Sequence, residues 1–133
     1  MILDHYRRPR NKGTLENADA SVEMRNPLCG DEITLQVAFA GDGVADLRFS
    51  GRGCSISQAS ASMMTQLVKG KSTGEIDALR KRFRELMLGD QSVVSDEQLG
   101  SLRALSGVAR FPARVKCALL AWNALESAMA TRG

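Results

Sequence analysis

The sequence is poor in histidine and cysteine, with one of the first and three of the second among 133 residues. The single histidine, His5, lies in a basic N-terminal stretch far along the chain from any cysteine. A Ser-His-Asp hydrolase is disfavoured on that ground, and His5 is expected at the surface or at a helix cap, outside any ligand set. An odd number of cysteines excludes a complete disulfide framework; widely spaced cysteines in a non-secreted chain point to a metal or to catalysis. Aromatic residues make up only 5%, so the core must rest on Leu, Val, Ile, Met and Ala. No apolar run approaches the roughly 20 residues that span a bilayer, and Met1-Ile2-Leu3-Asp4 lacks the basic-then-apolar order of an export signal. The chain therefore reads as cytoplasmic, with no membrane partner. It carries no internal repeat and no low-complexity segment. There is no phosphate-binding glycine loop either, since Gly51-Arg52-Gly53 lacks the third glycine and its spacing.

What is present fits one soluble domain over residues 1–133. Apolar residues are 44% and charged residues 25% of the chain, ordinary values for a globular protein. The net charge is +3. Basic residues gather in Arg7-Arg8-Pro9-Arg10-Asn11-Lys12 and Arg80-Lys81-Arg82-Phe83-Arg84. With no aromatics interleaved for base stacking, these read as solvated faces or as docking patches for an acidic protein, and no nucleic-acid partner is expected.

Along the chain, Ala20 to Met24 reads as a short strand. Ile33, Leu35, Val37 and Phe39 alternate with Thr34, Gln36 and Ala38, the pattern of a half-buried strand. Gly41-Asp42-Gly43 is a hairpin signal, and the return strand over 44–50 is expected to place Ala45, Leu47 and Phe49 on one face. From Ile56 the period becomes helical, through Ala59, Met63 and Leu67, until Lys69-Gly70. Ser72-Thr73-Gly74-Glu75 matches a capping box ahead of a stripe of Ile76, Leu79, Phe83, Leu86 and Met87. Residues 90–98 read as a loop, and Leu99, Leu102 and Leu105 as a short helix ended by Gly107. Pro112 opens the last helix, with Val115, Leu119, Trp122, Leu125 and Met129 as its expected core stripe. The methionines, including Met63-Met64, read as core filler. Strands first and helices after imply an α+β fold: a small antiparallel sheet of about three strands with the C-terminal helices packed on one face.

The cysteines occupy unusual settings. Cys29 sits between Pro27 and Gly30, in a turn expected to present it together with Asp31. Cys54 follows Gly51-Arg52-Gly53 at a predicted helix start, where exposed N–H groups and the helix dipole stabilise negative charge. Cys117 lies in the first turns of the last helix, beside Ala121, Ala124 and Ala128. Cys29, Asp31, Cys54 and Cys117 offer three sulfurs and one oxygen, a set that fills a tetrahedral zinc shell. Thiolates gathered at one point hold a metal, build a cluster or carry sulfur. With Zn²⁺ the four ligands leave a net charge of about −2, which Arg52, Arg114 or Lys116 would offset. Arg114, one turn before Cys117, is the preferred electrostatic support.

Three ordered segments, Asn26-Pro27-Leu28-Cys29-Gly30-Asp31, Gly51 through Ser62, and Phe111-Pro112-Ala113-Arg114-Val115-Lys116-Cys117, resemble the signatures of the U-type iron–sulfur assembly proteins. That family includes IscU, SufU and the NifU N-terminal domain, and the segment Asp4 to Gly13 fits it as well. Two features resemble the SufU branch: Lys116 stands where scaffold members carry a histidine before the third cysteine, and an extra segment around 89–107 separates Cys54 from Cys117. Relatives usually carry a further helical stretch before Ile2-Leu3-Asp4-His5-Tyr6, a departure that bears on partner affinity. The resemblance implies a zinc-dependent sulfurtransferase for iron–sulfur cluster assembly, working with a SufS-type, PLP-dependent cysteine desulfurase and downstream iron–sulfur scaffold proteins. It implies Cys29, Asp31, Cys54 and Cys117 as zinc ligands, with Cys29 the sulfur acceptor. The alternative it implies is a scaffold in which the same ligands hold iron or a [2Fe–2S] cluster.

Overall fold

The structure, a computed structural model, describes residues 2–26, 30–90, 92–93 and 97–130. A short helix α1 (Ile2–Arg7) precedes three strands, β1 (Ala20–Asn26), β2 (Asp31–Ala40) and β3 (Gly43–Arg52). Helices α2 (Ser55–Val68) and α3 (Thr73–Met87) follow, then a 3-10 segment over Glu97–Arg110 and the last helix α4 (Pro112–Ala130). The strands form one antiparallel sheet in the order β1-β2-β3. The expected α+β architecture is present.

Strand alternation sets the core. Ile33, Leu35, Val37, Leu47 and Phe49 are fully buried and share the face that meets the helices. Helix α4 packs against β1 and β2, and α2 packs against β3 and α4. Because α2 lies between sheet, α4, α1 and the 3-10 segment, every residue from Ser57 to Thr65 is buried. Among its polar members, Ser60 donates to the Ala118 carbonyl at 2.6 Å, whereas the side-chain amide of buried Gln58 has no hydrogen-bond partner. Helix α3 starts in a capping box, Ser72 and Glu75 exchanging side-chain and backbone bonds, and buries the predicted stripe of Ile76, Leu79, Phe83, Leu86 and Met87. Phe83 stacks on Trp122 of α4 with ring centroids 5.4 Å apart.

Three expectations need correction. On β3 the inward residue is Val44, and Ala45 is exposed. The register explains it: Ala38 pairs with Asp46 but Phe39 with Val44, so Ala45 is an extra residue, and a bulge reverses the alternation beyond it. The helix around Leu99 does not stop at Gly107. It runs as a 3-10 segment to Arg110 and breaks instead at Gly100, with φ 54° and ψ −130°. In α4, Val115, Leu119 and Met129 are only partly buried, while Cys117, Ala118, Ala121, Ala124 and Ala128 form the buried strip with Trp122 and Leu125. That helix is apolar on most sides, so its small residues, which allow close approach to the sheet, mark the inward face.

Candidate metal centre

Three segments end at one corner of the sheet. Strand β2 begins at Asp31, opposite Asn26 of β1. Strand β3 ends at Arg52, and Gly53-Cys54 lead into α2. Helix α4 brings Cys117 to the same corner, where Asn26 Nδ2 lies 4.0 Å from Cys117 Sγ.

Asp31 is 1% exposed. Its Oδ1 accepts a hydrogen bond from the Cys54 backbone N–H at 2.9 Å, and its Oδ2 lies 3.9 Å from Cys54 Sγ. Gly53 makes this approach possible: a Cβ there would collide with Asp31 Oδ1 and come within 2.7 Å of Ser57 Oγ. Cys54 is the N-cap of α2. Its Sγ accepts from the Ser57 N–H at 3.5 Å, and the Ser57 hydroxyl donates to the Cys54 carbonyl at 3.1 Å. A sulfur in this position faces the unpaired amides and positive end of a 14-residue helix, where negative charge is favoured. Cys117 is fully buried, its Sγ 3.7 Å from the Ala113 carbonyl one turn back.

One ligand atom from each of Asp31, Cys54 and Cys117 lies within 4.8 Å of the others. Donors about 2.0–2.3 Å from a tetrahedral ion are roughly 3.3–3.8 Å apart, so modest closure brings this trio onto one ion. The carboxylate is tied by a short hydrogen bond, whereas the contacts of the Cys54 sulfur are 3.5 and 3.9 Å. Two sulfurs and a carboxylate suit Zn²⁺ or iron and disfavour Mg²⁺ or Ca²⁺. Cys29, the fourth expected ligand, lies outside the described residues, as do Pro27 and Leu28.

The cations differ in setting. Arg52 points to solvent, 83% exposed, 3.5 Å from Glu32. Arg114 and Lys116 are exposed on the first turns of α4, and Arg114 lines a surface cleft beside the site. In the basic helix α3, Arg80 reaches Asp77 at 3.0 Å and Glu126 of α4 at 3.5 Å, consistent with a solvated face. His5 is not at the surface: it is 3% exposed, with Nδ1 2.8 Å from the Ser62 hydroxyl of α2. Burial, with help from the nearby Arg10 charge, lowers its pKa from the ordinary histidine value. Two contributors to the corner escaped the sequence reading, Asn26 and Ser57. The signal for Ser57 was present, because a residue three after an N-cap is the usual capping partner.

Among the described residues no helix is long and apolar enough to cross a membrane. The family model described as the NifU-like N terminal domain matches residues 1–131. The chain is 51% identical over 130 residues to the "Zinc-dependent sulfurtransferase SufU" of Bacillus subtilis, covering 98% of this chain and 87% of that protein. It is 46% identical to the "Iron-sulfur cluster assembly scaffold protein IscU" of Streptococcus pyogenes, covering 97% of this chain and 80% of that protein. A crystal structure of a candidate iron–sulfur cluster assembly scaffold protein for the SUF system, from Fervidobacterium islandicum, superposes with a TM-score of 0.87 at 39% identity. That likeness covers 96% of this chain and 93% of the other. A match over nearly the whole chain, joined to the convergence of Asp31, Cys54 and Cys117, leads to one conclusion: the chain belongs to the NifU-like N-terminal domain family of iron–sulfur cluster assembly proteins.

Proposed function

We propose that the protein is a zinc-dependent sulfur acceptor for iron–sulfur cluster assembly. In this reading Cys29 takes persulfide sulfur from a SufS-type, PLP-dependent cysteine desulfurase in the cytoplasm and hands it to a downstream iron–sulfur scaffold. The observation that carries the reading is the meeting of Asp31, Cys54 and Cys117 ligand atoms within 4.8 Å at the sheet corner. The likeness to a protein named a zinc-dependent sulfurtransferase supports it.

Zinc held by Cys29, Asp31, Cys54 and Cys117 would supply positive charge that keeps the sulfurs as thiolates and masks them from oxidation. The chain's own residues divide the remaining work. Cys117 is fully buried, out of reach of a protein donor, and serves as an anchor. Cys54 is fixed as a helix cap, and its backbone N–H orients Asp31. Cys29 is the acceptor that the family resemblance implies. Its thiolate attacks the outer sulfur of the donor's persulfide; a new S–S bond forms on Cys29 as the donor's S–S bond breaks and the donor cysteine leaves as thiolate. No oxidant is consumed. Arg114, near the start of α4, lends positive charge to the sulfur-rich corner.

The second reading, a scaffold that assembles a [2Fe–2S] cluster, is favoured by the likeness to a protein named for that role. Lys116 beside Cys117 weighs against it, because an ammonium is a poor iron ligand at neutral pH. One experiment separates them. Zinc-loaded protein is mixed with the desulfurase and cysteine, and turnover and persulfide on Cys29 are measured. Faster turnover with label on Cys29 is expected; neither effect, together with a stable visible-absorbing cluster after iron and sulfide, would replace the first reading by the second. In Asp31→Ala, zinc retention is expected to weaken and Cys29 to alkylate faster. Unchanged metal content in that variant removes Asp31 from the ligand set.

A further inference from the structure

Helix α2 buries one side chain whose polar atoms go unused. Gln58 is 4% exposed, and neither its Nε2 nor its Oε1 has a hydrogen-bond partner. Among the described residues Trp122 Nε1 is the other buried side-chain polar atom without a partner, and it lies in the ring stack with Phe83. A carboxamide closed off from water with donor and acceptor both idle is costly, and such a group in a folded chain calls for a physical reason. Methionine, apolar and of the same length, would fill the space without that cost.

The place of Gln58 on the helix supplies one. Cys54, Gln58 and Ser62 follow each other at intervals of four residues, so they lie along one line of α2, with neighbouring Cβ atoms about 5–6 Å apart. Side chains of a helix lean back over the turn on their N-terminal side, which carries the Gln58 carboxamide away from Ser62 and towards Cys54. Ser62 is already engaged: its hydroxyl accepts the Arg10 N–H at 2.8 Å and lies 2.8 Å from His5 Nδ1. The Cys54 sulfur is held loosely, 3.5 Å from the Ser57 nitrogen and 3.9 Å from Asp31 Oδ2. It also stands where negative charge gathers, because the ligand atoms of Asp31, Cys54 and Cys117 lie within 4.8 Å of one another. A thiolate accepts a stronger hydrogen bond than a thiol does.

We infer that Gln58 is a positioning residue for the metal centre: when Cys54 binds metal as a thiolate, the Gln58 side-chain N–H donates to its sulfur. The Cys54 sulfur then has two N–H donors, Ser57 from the backbone and Gln58 from the side chain. Hydrogen bonds of this kind spread the charge of a metal-bound thiolate and fix its orientation. Cys54 is thereby kept as a ligand, and exchange with a persulfide is left to another sulfur. Gln58 in this role rests on the proposed function for the presence of zinc, but its contact with Cys54 is measured separately from sulfur transfer.

The test compares the wild type with Gln58→Met, which keeps length and flexibility but cannot donate a hydrogen bond. Zinc affinity, measured by competition with a chromophoric chelator, should fall about 10-fold, the lower end of the range for outer partners of metal ligands. In the cobalt(II)-loaded variant the sulfur-to-metal charge-transfer band should move to longer wavelength, because a sulfur that loses an N–H donor gives up electrons more readily. The metal-free variant should melt no lower than the wild type, since an idle buried amide has been removed. In the wild type itself, one Gln58 side-chain amide proton should move downfield in the nitrogen-15 spectrum on zinc addition, a readout that stands even where the variant fails to fold. Unchanged zinc affinity with an unmoved band overturns the assignment, and so do Gln58 amide protons that do not respond to zinc. A lower melting temperature with an unmoved band overturns it too, in favour of a packing role. A wild type that takes up no zinc removes the zinc reading and the role of Gln58 together. A zinc-dependent Gln58 signal in a protein that accepts no sulfur on Cys29 leaves Gln58 in place and removes the sulfur-acceptor reading alone.

Discussion

The two ends of the sheet are built on opposite plans. At the hairpin end, where β2 turns into β3, close polar bonds tie down the α2–α3 connection. Thr73 N–H donates to the Asp42 carbonyl at 2.8 Å, and its hydroxyl donates to the Asp42 carboxylate at 3.0 Å. Val44 N–H donates to the Lys71 carbonyl at 3.0 Å, and Gly70 N–H to the Val44 carbonyl at 2.8 Å. Ser72 and Glu75 cap α3 reciprocally at 3.1 and 3.2 Å. At the other end the Cys54 N–H donates to the Asp31 carboxylate at 2.9 Å, while the sulfur contacts of Cys54 and Cys117 run from 3.5 to 4.0 Å. The first end is complete as it stands. The second gathers donor atoms of the types that bind metal, from Asp31, Cys54 and Cys117, within 4.8 Å of one another. Stability and chemistry are thus assigned to different ends of one small sheet.

The most severe disturbance of this division is expected at Gly53. Adding a methyl there in Gly53→Ala pushes on the Asp31 carboxylate and on Ser57. Outer partners of metal ligands typically govern affinity by 10- to 100-fold. We expect zinc affinity, measured by competition with a chromophoric chelator, to fall by about 10-fold or more, while the chelated protein keeps its helical circular dichroism. Wild-type affinity in this variant would mean that the carboxylate's position is not set by the close approach of Gly53. A smaller effect, on stability alone, is expected at the hairpin end. Ser72→Ala removes the α3 cap and should cost about 1 kcal/mol, lowering the melting temperature by roughly 3–5 °C. Zinc affinity should not move. A drop in zinc affinity there would show that the two ends are coupled and break the contrast.

How much of this was legible in the sequence follows the same divide. The capping box and the stripe of α3 were plain, because one apolar face stands out on an otherwise charged helix. The strands of the sheet were plain, with Leu47 and Phe49 on the inward face as expected. The reversal at Val44 was not, because a bulge is set by the register with the neighbouring strand, which a single strand's alternation does not report. The inward face of α4 was misread because large apolar residues lie on several sides; close packing against the sheet selected alanines and Cys117 instead. All four expected ligands were named from the sequence; three of them, Asp31, Cys54 and Cys117, lie among the described residues and meet at the corner. What no spacing revealed was Asn26 beside Cys117, since that contact spans 91 positions. The burial of His5 was hidden for a related reason. Its partner Ser62 belongs to a helix whose serines look solvent-facing in sequence yet lie in the core.

His5 also gives the smallest expected effect, and it bears on the comparison because its contact is polar, buried and complete without any added group. Ser62 Oγ receives the Arg10 N–H at 2.8 Å and lies 2.8 Å from His5 Nδ1. The imidazole is held largely away from water, and its pKa in the fold lies below the ordinary value. The unfolded chain, with an ordinary histidine, takes up a proton near pH 6.5, before the folded one does. Between the lowered folded value and about 6.5 the unfolded state therefore binds more protons, and stability rises with pH across that window. The contribution is fully present above about pH 7 and is lost as the pH falls through the folded value. The carboxylates whose pKa values are lowered, Asp4, Asp46, Glu75 and Asp90, add a dependence of the same sign at lower pH, near and below their ordinary range of about 4. Urea midpoints of the metal-free protein should therefore decline from pH 7.5 to pH 5.5 in the wild type. In His5→Gln, which keeps a polar side chain but cannot titrate, they should stay level over that range. An equal decline in both proteins would assign the pH dependence to other groups and leave His5 a spectator in the packing of α1 on α2.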